Sequence, residues 1–324
     1  MMPRRARLVW VAVVAVMAAA LAACTSTNAS TTSQPAAIKS ATAPPSQPLK
    51  TASSRPPAGP VIQVTGTPSG VKAKGAVLAD ATTGQVLWGR GLTTERPMAS
   101  VTKVMTALLV LQSGNLNQQI RIPKAAFTYA WKYGGETASL RPGDTLTAQQ
   151  LLEALLLPSG ADAAYTLANT YGPGLNAFIA RMNATAAQMG MKHTHFTSPD
   201  GLPYPTETST YSTPSDLLTL GIAAMKYPAL RSIVDQRFVN LPKSHTHHQY
   251  WWDNTNALIG HYQGAIGIKD GYTDDAGHCL LFEATRNGRT LIGVVLHSPA
   301  SGVAAGAQDA EKMLNWGFGL HLTK

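Results

Sequence analysis

Two strand pairs, one at each end of the globular part of the chain, constrain the fold more than any other feature. "GAVLADATTGQVLWGR" (residues 75–90) is two β-prone runs around a Thr-Gly turn, and "GHCLLFEATRNGRTLIGVVLHS" (277–298) is two more around an Asn-Gly turn. Between them the periodicity is helical. Ser100 opens "SVTKVMTALLVLQSG", apolar at 101, 104, 105, 108 and 109 and stopped by Gly114, which predicts a buried amphipathic helix. "TAQQLLEALLL" ends at Pro158, "DAAYTLANTYG" follows, and "GLNAFIARMNATAAQMG" closes on Gly190. "TPSDLLTLGIAAM" and "AQDAEKMLNWGFG" are helical again. Strands at both ends with helices between them suggest the class α/β (α+β): one antiparallel sheet flanked by helices, plus a helical subdomain. A cleft between the sheet edge and that subdomain is the natural place for chemistry.

The chain ahead of this part is of a different kind. Arg4, Arg5 and Arg7 precede the apolar "LVWVAVVAVMAAALA" and then Leu21-Ala-Ala-Cys24, the order of an export signal. The Leu-Ala-Ala-Cys ending resembles a bacterial lipobox, in which Cys24 carries two acyl chains and anchors the protein to a membrane. Residues 25–60, made of Ser, Thr, Ala, Pro and Gln without periodicity, are expected to be a disordered tether, and residues 61–324 one domain or two intimately joined subdomains. Location explains the formal charge of +9: six basic and no acidic residues lie before residue 61, leaving 20 basic against 17 acidic beyond it. Nucleic-acid binding loses its main support. Cys279, the other cysteine, sits in an apolar run, as a small buried thiol does.

Ser100 and Lys103 stand one turn apart on one helix face. A serine becomes nucleophilic when a neighbouring base takes its proton, and a lysine enclosed by apolar residues can serve as that base. Alone, the pair also suits an N-cap serine followed by a surface lysine. Two further features bear on it. "LLLPSGADAA" puts Ser159 in a tight break between two helices, and "GIKDGYT" puts Lys269 at a strand end before Gly271, although Asp-Gly there is also a turn signal.

Ser100-x-x-Lys103, Ser159 and Lys269-x-Gly271, in this order and at these separations, resemble the penicillin-recognising serine enzymes, and among them the serine-type D-Ala-D-Ala carboxypeptidases, the low-molecular-mass penicillin-binding proteins. The similarity extends through "RPMASVTKVMTALLVL", "GGETASLRPGDTLTAQQLLEALLLPSGADAA", "FIARMNATAAQMGMKHTHFTSPDGL", "YSTPSDLLTL", "NTNALI" and "DAEKMLNWGF". It implies a β-lactamase/transpeptidase-like fold and an acyl-enzyme mechanism on peptidoglycan stem peptides, inhibited covalently by β-lactams, with no cofactor and no metal. By the same resemblance Ser100 is the nucleophile, Lys103 its proton acceptor and Ser159 a relay to the leaving amine. Lys269 supplies positive charge towards Ser159 and the substrate carboxylate. Ser100 and Tyr272 lend backbone N–H groups to the oxyanion hole, and Gly271 lets the strand approach the substrate.

Three positions depart from the family pattern. Ala161 stands where the second motif has Asn, Asp270 where the third has Thr, and "SPASGVAAGAQDAEKM" has no Arg. Asp270, if ionised, repels a substrate carboxylate, which leaves Thr273 and Lys269 to bind it or implies a substrate without one, such as a peptide cross-link. A D,D-endopeptidase, a β-lactamase and a non-catalytic wall-binding scaffold are the alternatives. Asp162 is expected to cap its helix. His245, His247 and His248 read as a solvated loop, Trp251 and Trp252 as cleft rim or packing, and His278 as a candidate neighbour of the site.

Overall fold

The computed structural model describes residues 64–299, 302 and 304–320; the export signal, Cys24, the tether and the first residues of the 61–324 region lie outside them. The chain runs β1 (Gly75–Asp80), β2 (Val86–Arg90), β3 (Arg96–Pro97), a 3-10 turn (Ala99–Thr102), α1 (Lys103–Leu111), β4 (Gln119–Arg121), α2 (Lys124–Lys132) and β5 (Thr145–Thr147). It continues through α3 (Ala148–Leu156), α4 (Ala161–Tyr171), α5 (Leu175–Gln188), β6 (Tyr211–Ser212), α6 (Pro214–Ala224) and α7 (Pro228–Val234). The hairpin β7 (Phe238–Leu241) and β8 (Tyr250–Asp253) follows, then β9 (Ala265–Thr273), β10 (Gly277–Arg286), β11 (Arg289–Ser298) and α8 (Ala305–Phe318).

The five long strands form one antiparallel sheet in the order β2-β1-β11-β10-β9, so the front hairpin pairs with the rear one as expected. Asn287 (φ +50°) and Gly288 (φ +76°) form the rear turn, the positive-φ pair that a two-residue hairpin matched to strand twist requires. Side chains alternate faces. Ala76, Leu78, Leu280, Phe282, Leu291 and Val295 pack with Met313 and Leu314 of α8, whereas Val77, Ala79, Leu281, Ile292, Val294 and Leu296 pack with the helices of the other side. Gly293 is glycine because a Cβ there would collide with the Phe282 ring. The sheet is thus the middle of three layers.

Helix α1 differs from its expected amphipathic character. All nine of its residues are buried, Lys103 and Thr106 included, because α3, α4, α5, α6 and α7 surround it. Thr147 and Gln150 form a reciprocal capping box on α3 (3.1 and 2.8 Å), and Thr213 caps α6 (3.2 Å).

Asp309 of α8, 2% exposed, fastens the outer layer to the sheet. Its carboxylate accepts from Lys72 N (3.0 Å), Ala73 N (2.8 Å), Ser298 Oγ (2.8 Å) and Lys312 Nζ (3.2 Å). Asp309→Ala orphans these donors and is expected to destabilise the fold by about 3 kcal/mol, measured by chemical denaturation.

Candidate active site

Ser100 is the second residue of the 3-10 turn. Ala99 before it has φ +47°, a conformation costing about 1–3 kcal/mol in a residue with a side chain. The segment 198–202 lies beneath this turn, and Gly201 (φ +83°) is so close that a Cβ would collide with the Ala99 carbonyl. Lys103 follows one turn later, 1% exposed, its Nζ 2.9 Å from Ser100 Oγ and donating to the Asp200 carbonyl at 3.1 Å. Burial lowers the Lys103 pKa to about 8; nearby Lys269 adds to the effect, and the carboxylates of Asp200, Asp270 and Asp162 oppose it. Near pH 8 half the lysines are neutral, and a neutral Nζ accepts from the Ser100 hydroxyl.

The Pro-Ser-Gly break turns α3 into α4. Ser159 has φ +65°, is 6% exposed and lines the same cavity as Ser100. Gly160 is required by close approach, since a Cβ would lie 2.8 Å from the Ala154 carbonyl. Ala161 is fully buried, its methyl facing Gly135, so this position packs and offers no amide. Asp162 lies inside α4, and Gly160 is the N-cap. The Asp162 carboxylate reaches beyond its own helix, accepting from Ala138 N (2.9 Å) and Leu140 N (3.0 Å) as well as Ala163 N (2.9 Å).

The opposite wall is β9. "GIKDGYT" makes neither a turn nor a strand end: Lys269, Asp270 and Gly271 pair with Leu281, Leu280 and Cys279 in mid-strand, and the chain reverses only after Thr273. Pairing with β10 outweighs the local Asp-Gly preference. A Cβ on Gly271 would lie 2.6 Å from Ser100 N and 3.1 Å from the Ala99 Cβ, so only glycine lets the strand run alongside Ser100. Lys269, 1% exposed, donates to Asp270 Oδ1 at 2.6 Å, and Thr255 Oγ1 donates to the same oxygen at 2.7 Å. Burial works against the Asp270 charge, but the Lys269 ammonium and these hydrogen bonds outweigh it and hold the carboxyl below its usual range. The charge of Lys269 is therefore largely answered by its neighbour.

Ser100 and Ser159 share a cavity of about 670 Å³ with Glu136, Thr255, Asn256, Asp270, Gly271, Tyr272 and His278. Tyr272 is half exposed, its ring 4.7 Å from that of His278 and its hydroxyl donating to Asp274 Oδ1 at 3.1 Å. Thr273 is not brought to the cavity lining; its Oγ1 accepts from Ala276 N at 3.2 Å in the turn beyond. Thr255, Asn256 and Glu136 carry no chemical signature in the sequence, and only their place in the similar stretches "NTNALI" and "GGETASL" pointed to them. Cys279 is buried and its thiol pushed up to about 12, which leaves it unreactive.

The remaining candidates fall into structural places. His248 Nδ1 is 2.9 Å from Asp144 Oδ1, and His247 is buried rather than solvated, its Nδ1 2.7 Å from the His248 carbonyl. No group of three metal-ligating side chains occurs among the described residues. Trp252 is buried and donates to the Ala138 carbonyl at 2.9 Å, while Trp251 stacks on Phe238 at 4.5 Å.

Gly271→Ala tests the close approach of β9. It is expected to slow acylation of Ser100 about 100-fold with a cooperative thermal transition retained, read by mass spectrometry of the modified protein.

Comparison with known proteins accounts for this arrangement. The family model of the D-alanyl-D-alanine carboxypeptidases, Peptidase S11, matches residues 62–300. A D-alanyl-D-alanine carboxypeptidase of Streptomyces sp. is 38% identical over 262 residues, covering 77% of this chain and 88% of that protein. The D-alanyl-D-alanine carboxypeptidase DacB2 of Mycobacterium tuberculosis is 36% identical, covering 76% of this chain and 82% of the relative. A D-alanyl-D-alanine endopeptidase of Pseudomonas aeruginosa is 33% identical over 74% of this chain and 76% of its own length. The crystal structure of a Streptomyces DD-transpeptidase superposes with a TM-score of 0.73 at 38% identity, covering 79% of this chain and all of that one. The fold is thus shared with a solved relative, and the chain belongs to the D-alanyl-D-alanine carboxypeptidase family of serine peptidases.

Proposed function

We propose that this protein is a serine-type D-Ala-D-Ala carboxypeptidase that trims peptidoglycan stem peptides in the bacterial cell envelope. The observation that carries the reading is the contact between buried Lys103 Nζ and Ser100 Oγ at 2.9 Å. Ser100 Oγ attacks the carbonyl between two D-alanines as neutral Lys103 takes its proton. The tetrahedral oxyanion is assigned to the backbone N–H groups of Ser100 and Tyr272, supported by β9 lying against the Ser100 amide. Collapse breaks the C–N bond and expels the terminal D-alanine, its amine protonated through Ser159. Water then attacks the ester and releases Ser100. β-Lactams acylate the same oxygen and are the expected covalent inhibitors.

Lys269 and Asp270 bear on which substrate is preferred. With Asp270 Oδ1 2.6 Å from Lys269 Nζ, this wall offers little net positive charge to a terminal carboxylate. That observation favours a second reading in which cross-linked peptides, lacking a free carboxylate at this position, are also cleaved by D,D-endopeptidase action. The Arg-rich start, apolar run and Leu-Ala-Ala-Cys24 support a lipid anchor on the outer face of the cytoplasmic membrane, with residues 25–60 as its tether and residues 61–324 as the catalytic domain.

Fluorescent penicillin is expected to label the wild type and not Ser100→Ala; label on the variant overturns the nucleophile. Labelling is expected to accelerate from pH 6 to 9 with a midpoint near 8, because only deprotonated Lys103 acts as base and burial lowers its pKa to about 8. Asp270→Thr frees Lys269 and is expected to raise kcat/KM roughly tenfold for a D-Ala-D-Ala peptide with a free carboxylate, but not for its carboxamide. Release of D-alanine, or of its amide, measures both.

A further inference from the structure

The segment beneath α1 contains a buried carboxylate to which the mechanism above gives no task. Lys103 and Thr106, three residues apart on one face of α1, hold consecutive carbonyls of this segment: Lys103 Nζ donates to Asp200 O at 3.1 Å and Thr106 Oγ1 to Pro199 O at 2.5 Å. The Asp200 side chain, fully buried, accepts at Oδ1 from Leu202 N (3.1 Å) and the Tyr129 hydroxyl (3.3 Å). Its Oδ2 is buried with no hydrogen-bond partner among the described residues. A half-satisfied carboxylate in a dry interior is costly unless a nearby charge compensates it. The compensating charge here is the ammonium that Lys103 becomes.

We propose that Asp200 is a positioning residue for the catalytic base: its carboxylate fixes the segment whose carbonyl grips Lys103 and supplies counter-charge to the ammonium that forms there. The inference rests on Lys103 being the base. As Ser100 Oγ bonds to the substrate carbonyl carbon, its proton passes to Nζ, and positive charge develops where water cannot reach it. Asp200 then answers it through its charge, as the carboxylate of a Ser-His-Asp triad answers its imidazolium. The other charged groups around Lys103 are Lys269 and Asp270 from β9 and Asp162 from α4; Lys269 opposes the ammonium, and Asp270 is engaged by Lys269 at 2.6 Å. Tyr129 of α2 faces Asp200 itself, and burial together with that charge keeps its phenol protonated as a donor.

Asp200→Asn preserves the shape and an acceptor for Leu202 N and Tyr129 while removing the charge. The readout is the second-order rate of acylation by fluorescent penicillin from pH 5.5 to 10. Without Asp200 the lysine holds its proton less tightly, so the acid limb is expected to move down by about one pH unit while the plateau falls about tenfold. Tyr129→Phe withdraws a donor from Asp200 and is expected to move the limb up. Opposite displacements establish the role, and a limb unchanged in both variants overturns it. Should Asp200→Asn not fold, the direction of the Tyr129→Phe limb decides alone. Lys103→Ala separates the two levels: wild-type labelling of that variant removes the base assignment itself, whereas its loss beside unmoved limbs removes only Asp200.

Discussion

A lysine held away from water beside a serine oxygen is the constraint on which the rest of this structure depends. An ammonium in a dry interior is unfavourable, so the surroundings must either neutralise it or answer its charge. Here they do both in part. α1 is enclosed on every side, which lowers the Lys103 pKa to about 8, and the Asp200 carbonyl at 3.1 Å keeps Nζ aimed at Ser100. The helical layer is therefore what loosens the hold of Lys103 on its proton. The strained backbone at Ala99 persists because the segment 198–202 and β9 close on that turn, through Gly201 and Gly271.

The sheet was legible in the sequence because its signals are local and strong. The Thr-Gly and Asn-Gly turns mark the two hairpins, and the unbroken apolar runs Ala76–Ala79 and Cys279–Phe282 are those of strands buried on both faces. Helices α3 to α6 were equally legible from caps and period. Two errors have one cause. "GIKDGYT" carries a turn dipeptide, and α1 an amphipathic pattern, yet Asp270-Gly271 is extended and α1 is buried all round. In each case tertiary neighbours, β10 for one and the surrounding helices for the other, outweigh a preference expressed over a few residues.

The nearness of Ser100 and Lys103 was readable because the two stand one helical turn apart, and the structure brings Ser159 to the same cavity. Thr255, Glu136 and Asp200 were not readable, since each reaches the centre only through the fold. Asp270 was read as a bare negative charge, an understandable view of a residue seen without its surroundings. Its partners, Lys269 at 2.6 Å and Thr255 at 2.7 Å, turn it into one end of a nearly neutral pair. Sequence gives the identity of a charge, whereas its effect is set by what lies within hydrogen-bond reach.

The pairing of β1 with β11 has a bearing on how the molecule comes to exist. Gly75 lies opposite Leu296, and β11 sits in the centre of the sheet although it is the last strand in the chain. Until β11 is available, β1 and β2 are a lone hairpin and β9 and β10 have no third strand, a size at which sheets are marginal. Folding is thus dominated by contacts between distant parts of the chain, which makes it slow and leaves the nascent chain unfolded while it lengthens. Late closure of the sheet is thus built into the strand order itself.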